Sequence, residues 1–331
     1  MNHAREGEQR GGQMSERAIC GSRRLACLAA LLILGNRFGS AALADPCTVN
    51  CINPGDYNFI LVWDGLPRTY MVHVPASYSG SSAVPLLLDL HGFSSYAAQE
   101  RQVSGQLQQS DKRGFIAVWP EGIALSWNGY GCCAVAGITQ TDDVGFLRAV
   151  IATLKTTANI DSTRVFVTGI SNGGSMTMRM ACEAADVVRA AASVSFPLNT
   201  NQCSPAKPIG VTEIAGTADT TVPYNGGDFL QLGTVGELLS VPFDVQSAPA
   251  SLAAWQAIDG CDDTLIQTSL PGNSYADVYT NCAGPGDVKI GLVTIPGGGH
   301  ILYNGYVGLG YNGNNAPFDV SEYIWDNVFD L

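Results

Sequence analysis

Charge is scarce in this 331-residue chain: charged residues make up 14 %, with 17 Lys and Arg against 29 Asp and Glu. No basic cluster appears beyond the N-terminus, which excludes a phosphate-backbone partner, and no nucleic-acid role is expected. Histidine is rarer still, with four in all, and C-x-x-C and H-x₃₋₅-H spacings are absent. A zinc site is therefore not expected, nor any other metal or cofactor. Long apolar runs are missing too. The one candidate, residues 25–34 (LACLAALLIL), has ten residues, half of the roughly 20 a membrane span needs. No repeat, charged block or low-complexity linker divides the chain. What is abundant is hydrophobic sequence, 46 % with a mean hydropathy of +0.11, which excludes disorder and calls for a buried core.

The start of the chain has the order of an export signal. Arg5, Arg10, Arg17, Arg23 and Arg24 precede the short apolar run, and small residues then lead to Ala42-Leu43-Ala44. Cleavage after Ala44 is expected, leaving one domain over 45–331, secreted or periplasmic, with no membrane association afterwards. Met14 is an alternative start that shortens the basic segment. Loss of 1–44 removes six Arg and three Glu, leaving 11 basic and 26 acidic residues, net −15. Cys20 and Cys27 leave with the signal. The remaining eight cysteines suit disulfides in an oxidising compartment. Local order suggests Cys182–Cys203 and Cys261–Cys282, with Cys47 and Cys51 stapled to the Cys132-Cys133 loop.

Periodicity sets the fold class. Residues 58–63 and 68–74 are β-rich runs around Asp64-Gly65-Leu66-Pro67, which predicts an antiparallel edge hairpin. Short apolar runs at 85–90, 115–119, 164–168, 190–194, 209–214 and 289–295 have the character of strands buried on both faces. Helical spacing fills 97–111, 143–158, 173–185, 249–258 and 319–329. Strand and helix alternating predict an α/β fold with a mostly parallel central sheet and helices on both faces. The stretch 222–247 has no clear period and is expected to be a loop or a cap.

Parallel sheets carry ligands at the carboxyl ends of their strands, and three reactive side chains fall just after strand candidates. Gly169-Ile170-Ser171-Asn172-Gly173 lies between a strand and a helix, where a nucleophile elbow belongs. An ordinary glycine-rich turn with a helix-capping serine is the competing reading. His300 follows a strand through Gly297-Gly298-Gly299, and is the favoured base over His73, inside an edge strand, and His91, inside another motif. Asp219 closely follows a strand, unlike Asp228, Asp244, Asp262 and Asp263, although a turn aspartate bonded to its own backbone would look the same. The order Ser171, Asp219, His300 is that of α/β-hydrolases. Such an enzyme needs two oxyanion donors, assigned to the backbone N–H groups of Phe93, after Leu90-His91-Gly92, and Asn172, after the serine. Trp127, Tyr130, Phe93 and Tyr303 are candidates to line a substrate pocket, though Trp127 can equally pack beside the cysteine pair.

These residues resemble a known group. HGF at 91–93, Trp127-Asn128 with Cys132-Cys133, Asp142-Asp143-Val144-Gly145-Phe146, GISNGG at 169–174, Ala181-Cys182-Glu183, GTADTTVPY at 216–224 and GGGH at 297–300 are similar to the secreted polyhydroxybutyrate depolymerase and feruloyl esterase group of α/β-hydrolases. The likeness runs from about residue 57 to the C-terminus. It implies a serine carboxylesterase without cofactor, with Ser171, Asp219 and His300 as the triad and an ester substrate linked to polysaccharide or polyester. Asp142 and Asp143 match a shared motif read as helix-capping. One departure bears on acyl specificity: Ile301-Leu302-Tyr303 stands where group members often carry Trp-Pro-Gly. The lack of a linker and polymer-binding domain favours feruloyl or acetyl esters over solid hydroxybutyrate polyester. A non-catalytic carbohydrate- or wall-binding protein on the same scaffold, and a peptidase, are the competing functions.

Overall fold

The computed structural model describes residues 52–200, 202–228, 244–284, 286–304 and 317–329. The signal segment, Cys47, Cys51 and the centre of the suggested cap lie outside the described residues.

Ten strands form one sheet. β1 (Gly55–Trp63) and β2 (Leu66–Val74) make the edge hairpin, followed by β3 (Val84–Leu90). Next come α1 (Ala97–Val103), α2 (Gln106–Arg113), β4 (Ile116–Pro120), α3 (Ala134–Ile138) and α4 (Asp143–Thr157). β5 (Ile160–Ile170), α5 (Asn172–Glu183), β6 (Ala190–Val194) and β7 (Gly210–Gly216) form the centre. β8 (Gly227–Asp228) pairs with β9 (Asp244–Val245) in a two-rung ladder that joins the ends of the suggested cap. α6 (Ala248–Asp259), β10 (Leu265–Ser269), β11 (Tyr275–Tyr279), β12 (Ile290–Ile295) and α7 (Val320–Ile324) complete the chain. The strand order is β1-β2-β4-β3-β5-β6-β7-β12-β11-β10. The strands from β4 to β12 are parallel, and the hairpins at either edge are antiparallel. This is the α/β-hydrolase fold expected from the alternating pattern.

Side chains alternate across the sheet, so β3 sends Leu86, Leu88 and Leu90 to one face and Leu87 to the other. Helices α4, α5 and α6 cover the first face through residues such as Leu147, Met176 and Trp255. The second is covered by α1, α7 and the turn after it, with Ala97, Ile324, Trp325 and Phe329. β4, β6, β7 and β12 are buried throughout, which is why these strands read as continuous apolar runs.

Three features differ from expectation. The helix expected at 97–111 is two, because Gly105 takes a left-handed φ of 79° at the N-cap of α2. β10 and β11 were invisible to an apolar-run search, since every residue of β10 is exposed on an edge strand. Cys132 and Cys133 bond to each other, so they are not the partners of Cys47 and Cys51. Both sulfurs lie in a turn folded back by the Gly129–Cys132 bridge, and adjacent half-cystines there leave neither one free for a distant segment. The other two suggested pairs, Cys182–Cys203 and Cys261–Cys282, are present.

Candidate active site

The strand order reverses at β3, whose neighbours are β4 and β5. A crevice opens at the carboxyl ends where such a reversal occurs. The loop after β3 and the turn after β5 meet there, because Leu90 is in register with Gly169.

Ser171 sits on that turn with φ 57° and ψ −122°, and its side chain makes no cap hydrogen bond. The simple helix-cap reading therefore fails. A strained residue of this kind persists only where its surroundings hold it: Ser171 N–H donates to Val194 O at 2.9 Å and Ser175 N–H to Ser171 O at 2.9 Å. The flanking glycines are needed for close approach. A Cβ on Gly173 would fall 2.0 Å from Leu90 O, and one on Gly169 2.6 Å from the same atom. Gly92 would bring a Cβ within 3.6 Å of Ser171 Cβ, so the backbone that carries Phe93 runs beside the serine.

Asp219 lies in the turn after β7. Oδ2 is 2.8 Å from His300 Nδ1, while Oδ1 accepts from Thr221 N and Val222 N at 2.8 Å each. The aspartate is thus both a turn former and the partner of the histidine. Its side chain is 2 % exposed and that of His300 19 %, so the pair is largely shielded. The segment holding His300 is tied down by Ala218 N–H to Gly298 O at 2.8 Å and Gly297 N–H to Thr217 Oγ1 at 2.9 Å. Gly216 makes this possible: a Cβ there would collide with Gly298 O at 2.3 Å. No sequence pattern gave Gly216 or Thr217 this role. Among the described residues no hydrogen bond joins Ser171 Oγ to His300 Nε2. The structure brings Asp219 and His300 together, and places Ser171 at the same sheet edge.

The N–H groups of Phe93 and Asn172 have no acceptor among the described residues, as oxyanion donors require. His91 is fully buried, with Nδ1 2.8 Å from Gly92 O and Nε2 accepting from Gly122 N at 3.0 Å. Burial, helped by the nearby Arg68 charge and opposed by the Gly92 bond, lowers its pKa to about 4. A neutral ring with its proton on Nδ1 satisfies both partners. His91 therefore shapes the loop.

Three of the four rings named as pocket candidates have other partners. Trp127 is fully buried, its Nε1 donating to His91 O at 3.0 Å. Tyr130 lies against Arg179, whose guanidinium carbon is 5.2 Å from the ring centre, two turns along α5 from the serine. Tyr303 is buried beneath the histidine segment and donates to Gly299 O. Sequence reasoning also missed Arg68 on β2, a lone cation in the inner strand of the edge hairpin. It pairs with buried Asp143 at 2.7 Å, and Asp143 accepts from Asn128 N at 2.8 Å. Asp142 caps α4 by accepting from Gly145 N at 2.9 Å.

The sequence is similar to those of several known esterases. Feruloyl esterase B of Piromyces equi is 33 % identical over 250 residues, 73 % of this chain and 44 % of its own length. By sequence the chain is related to the feruloyl esterase group of α/β-hydrolases. NocK of Nocardia uniformis subsp. tsuyamanensis, which carries a provisional esterase name, is 29 % identical over 250 residues, 71 % of each chain. Feruloyl esterase C of Emericella nidulans is 28 % identical over 193 residues, 56 % of this chain and 66 % of its own. The chain thus spans less than half of the Piromyces relative's length. No family model matches the chain.

Proposed function

We propose that this protein is an exported serine carboxylesterase acting on feruloyl or acetyl esters of plant polysaccharide. The observation that carries the reading is the shielded Asp219–His300 pair at 2.8 Å, set at the carboxyl edge of the sheet that holds the uncapped elbow serine. Feruloyl esterases among the relatives support the substrate class. The disulfides, which suit an oxidising compartment, support export.

His300 takes the Ser171 proton on Nε2 as Oγ attacks the ester carbonyl, and Asp219 holds Nδ1–H and stabilises the imidazolium. The N–H groups of Phe93 and Asn172 receive the oxyanion, each contributing roughly 3–4 kcal/mol to the transition state. His300 then protonates the leaving alcohol, and water, deprotonated by the same ring, releases the acid from the acyl-enzyme. Ser171 and His300 must close to hydrogen-bond distance for the first step, a tightening that often waits for substrate.

The test is Ser171→Ala. It should abolish hydrolysis of p-nitrophenyl acetate and methyl ferulate without altering the circular dichroism spectrum, and a fluorophosphonate should label the wild type at Ser171 alone. Activity surviving in the variant overturns the reading. Methyl ferulate, acetylated xylan, hydroxybutyrate oligomers and peptide esters compared side by side identify the acyl group.

A further inference from the structure

Asn172 does something with its side chain that an elbow residue need not do. Its Oδ1 accepts from Trp127 N at 2.7 Å and its Nδ2 donates to Trp127 O at 2.9 Å, so one carboxamide holds both backbone polar groups of one residue. Gly129 N and Cys133 N also donate to Trp127 O, at 3.2 and 3.0 Å. Cys132 Sγ backs the grip, 4.0 Å from Nδ2. Asn172 and Trp127 are both fully buried, so water cannot replace either bond. The Trp127 indole then donates to His91 O at 3.0 Å, two residues before Phe93. A continuous chain of hydrogen bonds therefore runs from Asn172 through Trp127 to the loop that carries Phe93.

We propose that the Asn172 carboxamide and Trp127 are positioning residues for the oxyanion, a brace that sets the two backbone N–H donors at a fixed separation. The proposal rests on the esterase reading above, and goes beyond it by giving the side chain of one donor residue and the indole of Trp127 a function in turnover. Its physical basis is preorganisation: oxyanion donors act in the transition state only if they need not reorient as charge develops. The N–H groups of Phe93 and Asn172 come from separate loops, after β3 and after β5, and backbone bonding between the strands ends at Leu90 and Gly169. Beyond that rung the brace spans the gap.

Two variants test it. Asn172→Asp keeps the oxygen that faces Trp127 N–H and puts a second carboxyl oxygen against Trp127 O. Protonated, that oxygen donates as the amide did; ionised, it repels. Trp127→Phe keeps an aromatic ring and deletes the indole donor, with part of the buried ring volume. Each should lower kcat on the order of 10- to 100-fold with KM changed less than about twofold, the signature of lost transition-state contacts. For Asn172→Asp, the ratio of variant to wild-type kcat should rise as pH falls from 8 to 5.5. Dividing by wild type cancels the other groups facing this region: His91 from the β3 loop, Glu121 after β4, Arg68 and Asp143 from β2 and α4, Arg179 of α5, and His300. Rates are expressed per site titrated with fluorophosphonate. Variants with kcat within about twofold of wild type, a pH-independent ratio, or failure of both variants to fold would overturn the brace. Ser171→Ala in the same assay separates the two claims: if it is inactive while these variants are unimpaired, only the brace falls, and if it is active the esterase reading falls first.

Discussion

His91 donates from Nδ1 to the carbonyl of Gly92 and accepts at Nε2 from Gly122; a protonated ring keeps the first bond and loses the second. Its pKa, about 4 in the fold through burial, lies below the roughly 6.5 of an unfolded histidine. Between those values the unfolded chain binds a proton that the folded chain refuses, so stability is lost as pH falls through this window. Carboxylates raised by burial, Glu213 to about 8, Asp89 to about 7 and Asp259 to about 6, work the opposite way, so the wild-type curve alone mixes them with the histidine. Comparison with His91→Gln isolates the histidine. Its stability deficit relative to wild type, measured by denaturant unfolding, should shrink by roughly 2–3 kcal/mol between pH 7.5 and pH 4.5; an unchanged deficit would show that His91 does not titrate as stated. Ser171, Asp219 and His300 were legible because each follows a strand within a few residues of the sheet's carboxyl edge. Trp127 and Tyr303 were not, since whether a ring faces a cleft or a core depends on neighbours far away in sequence.

The pairing of Arg68 on β2 with Asp143 on α4 ties the edge hairpin to the helix layer. Both side chains are essentially inaccessible, 2 % and 0 % exposed, and Arg68 also lies 4.1 Å from the centre of the Phe146 ring. Arg68→Met would leave a buried carboxylate facing only the Asn128 amide, at a cost of about 3–5 kcal/mol. For a chain of this size that is a fall in Tm of roughly 10 °C. Adding Asp143→Leu should restore part of the loss, giving a double variant less destabilised than the sum of the singles; strict additivity would show that the two side chains do not interact. Buried strands and capped helices were readable from their periods. The α1–α2 break was not, because Gly105 acts through a left-handed φ rather than through hydrophobicity. The β10–β11 hairpin was hidden for the opposite reason: an exposed edge needs no apolar run.

Two disulfides close short segments, Cys182–Cys203 from the end of α5 across β6 and Cys261–Cys282 around the β10–β11 hairpin, each spanning a sequence separation of 21. Closing a loop of that length stabilises by about 3 kcal/mol in the chain-entropy picture. Cys182→Ala/Cys203→Ala should therefore lower Tm by several degrees with esterase turnover at 25 °C kept, because neither cysteine touches the site. A variant as stable as wild type would show that this bridge contributes nothing to the fold. Cys182 and Cys203 bracket one short segment, and so do Cys261 and Cys282, which made both pairs readable. For Cys132-Cys133 the same logic looked for distant partners and missed the neighbour.

The linear chain dictates its alternation of buried strands and amphipathic helices, the hairpin at its first edge, and the three side chains stationed after strands, because periodicity and strand-end position are local properties. Folding alone puts β3 beside β5, draws Gly92 against Ser171, turns His300 onto Asp219 and closes Asn172 on the backbone N–H and C=O of Trp127. Those are encounters between segments tens of residues apart, set by strand order and close packing, and no window of sequence contains both partners.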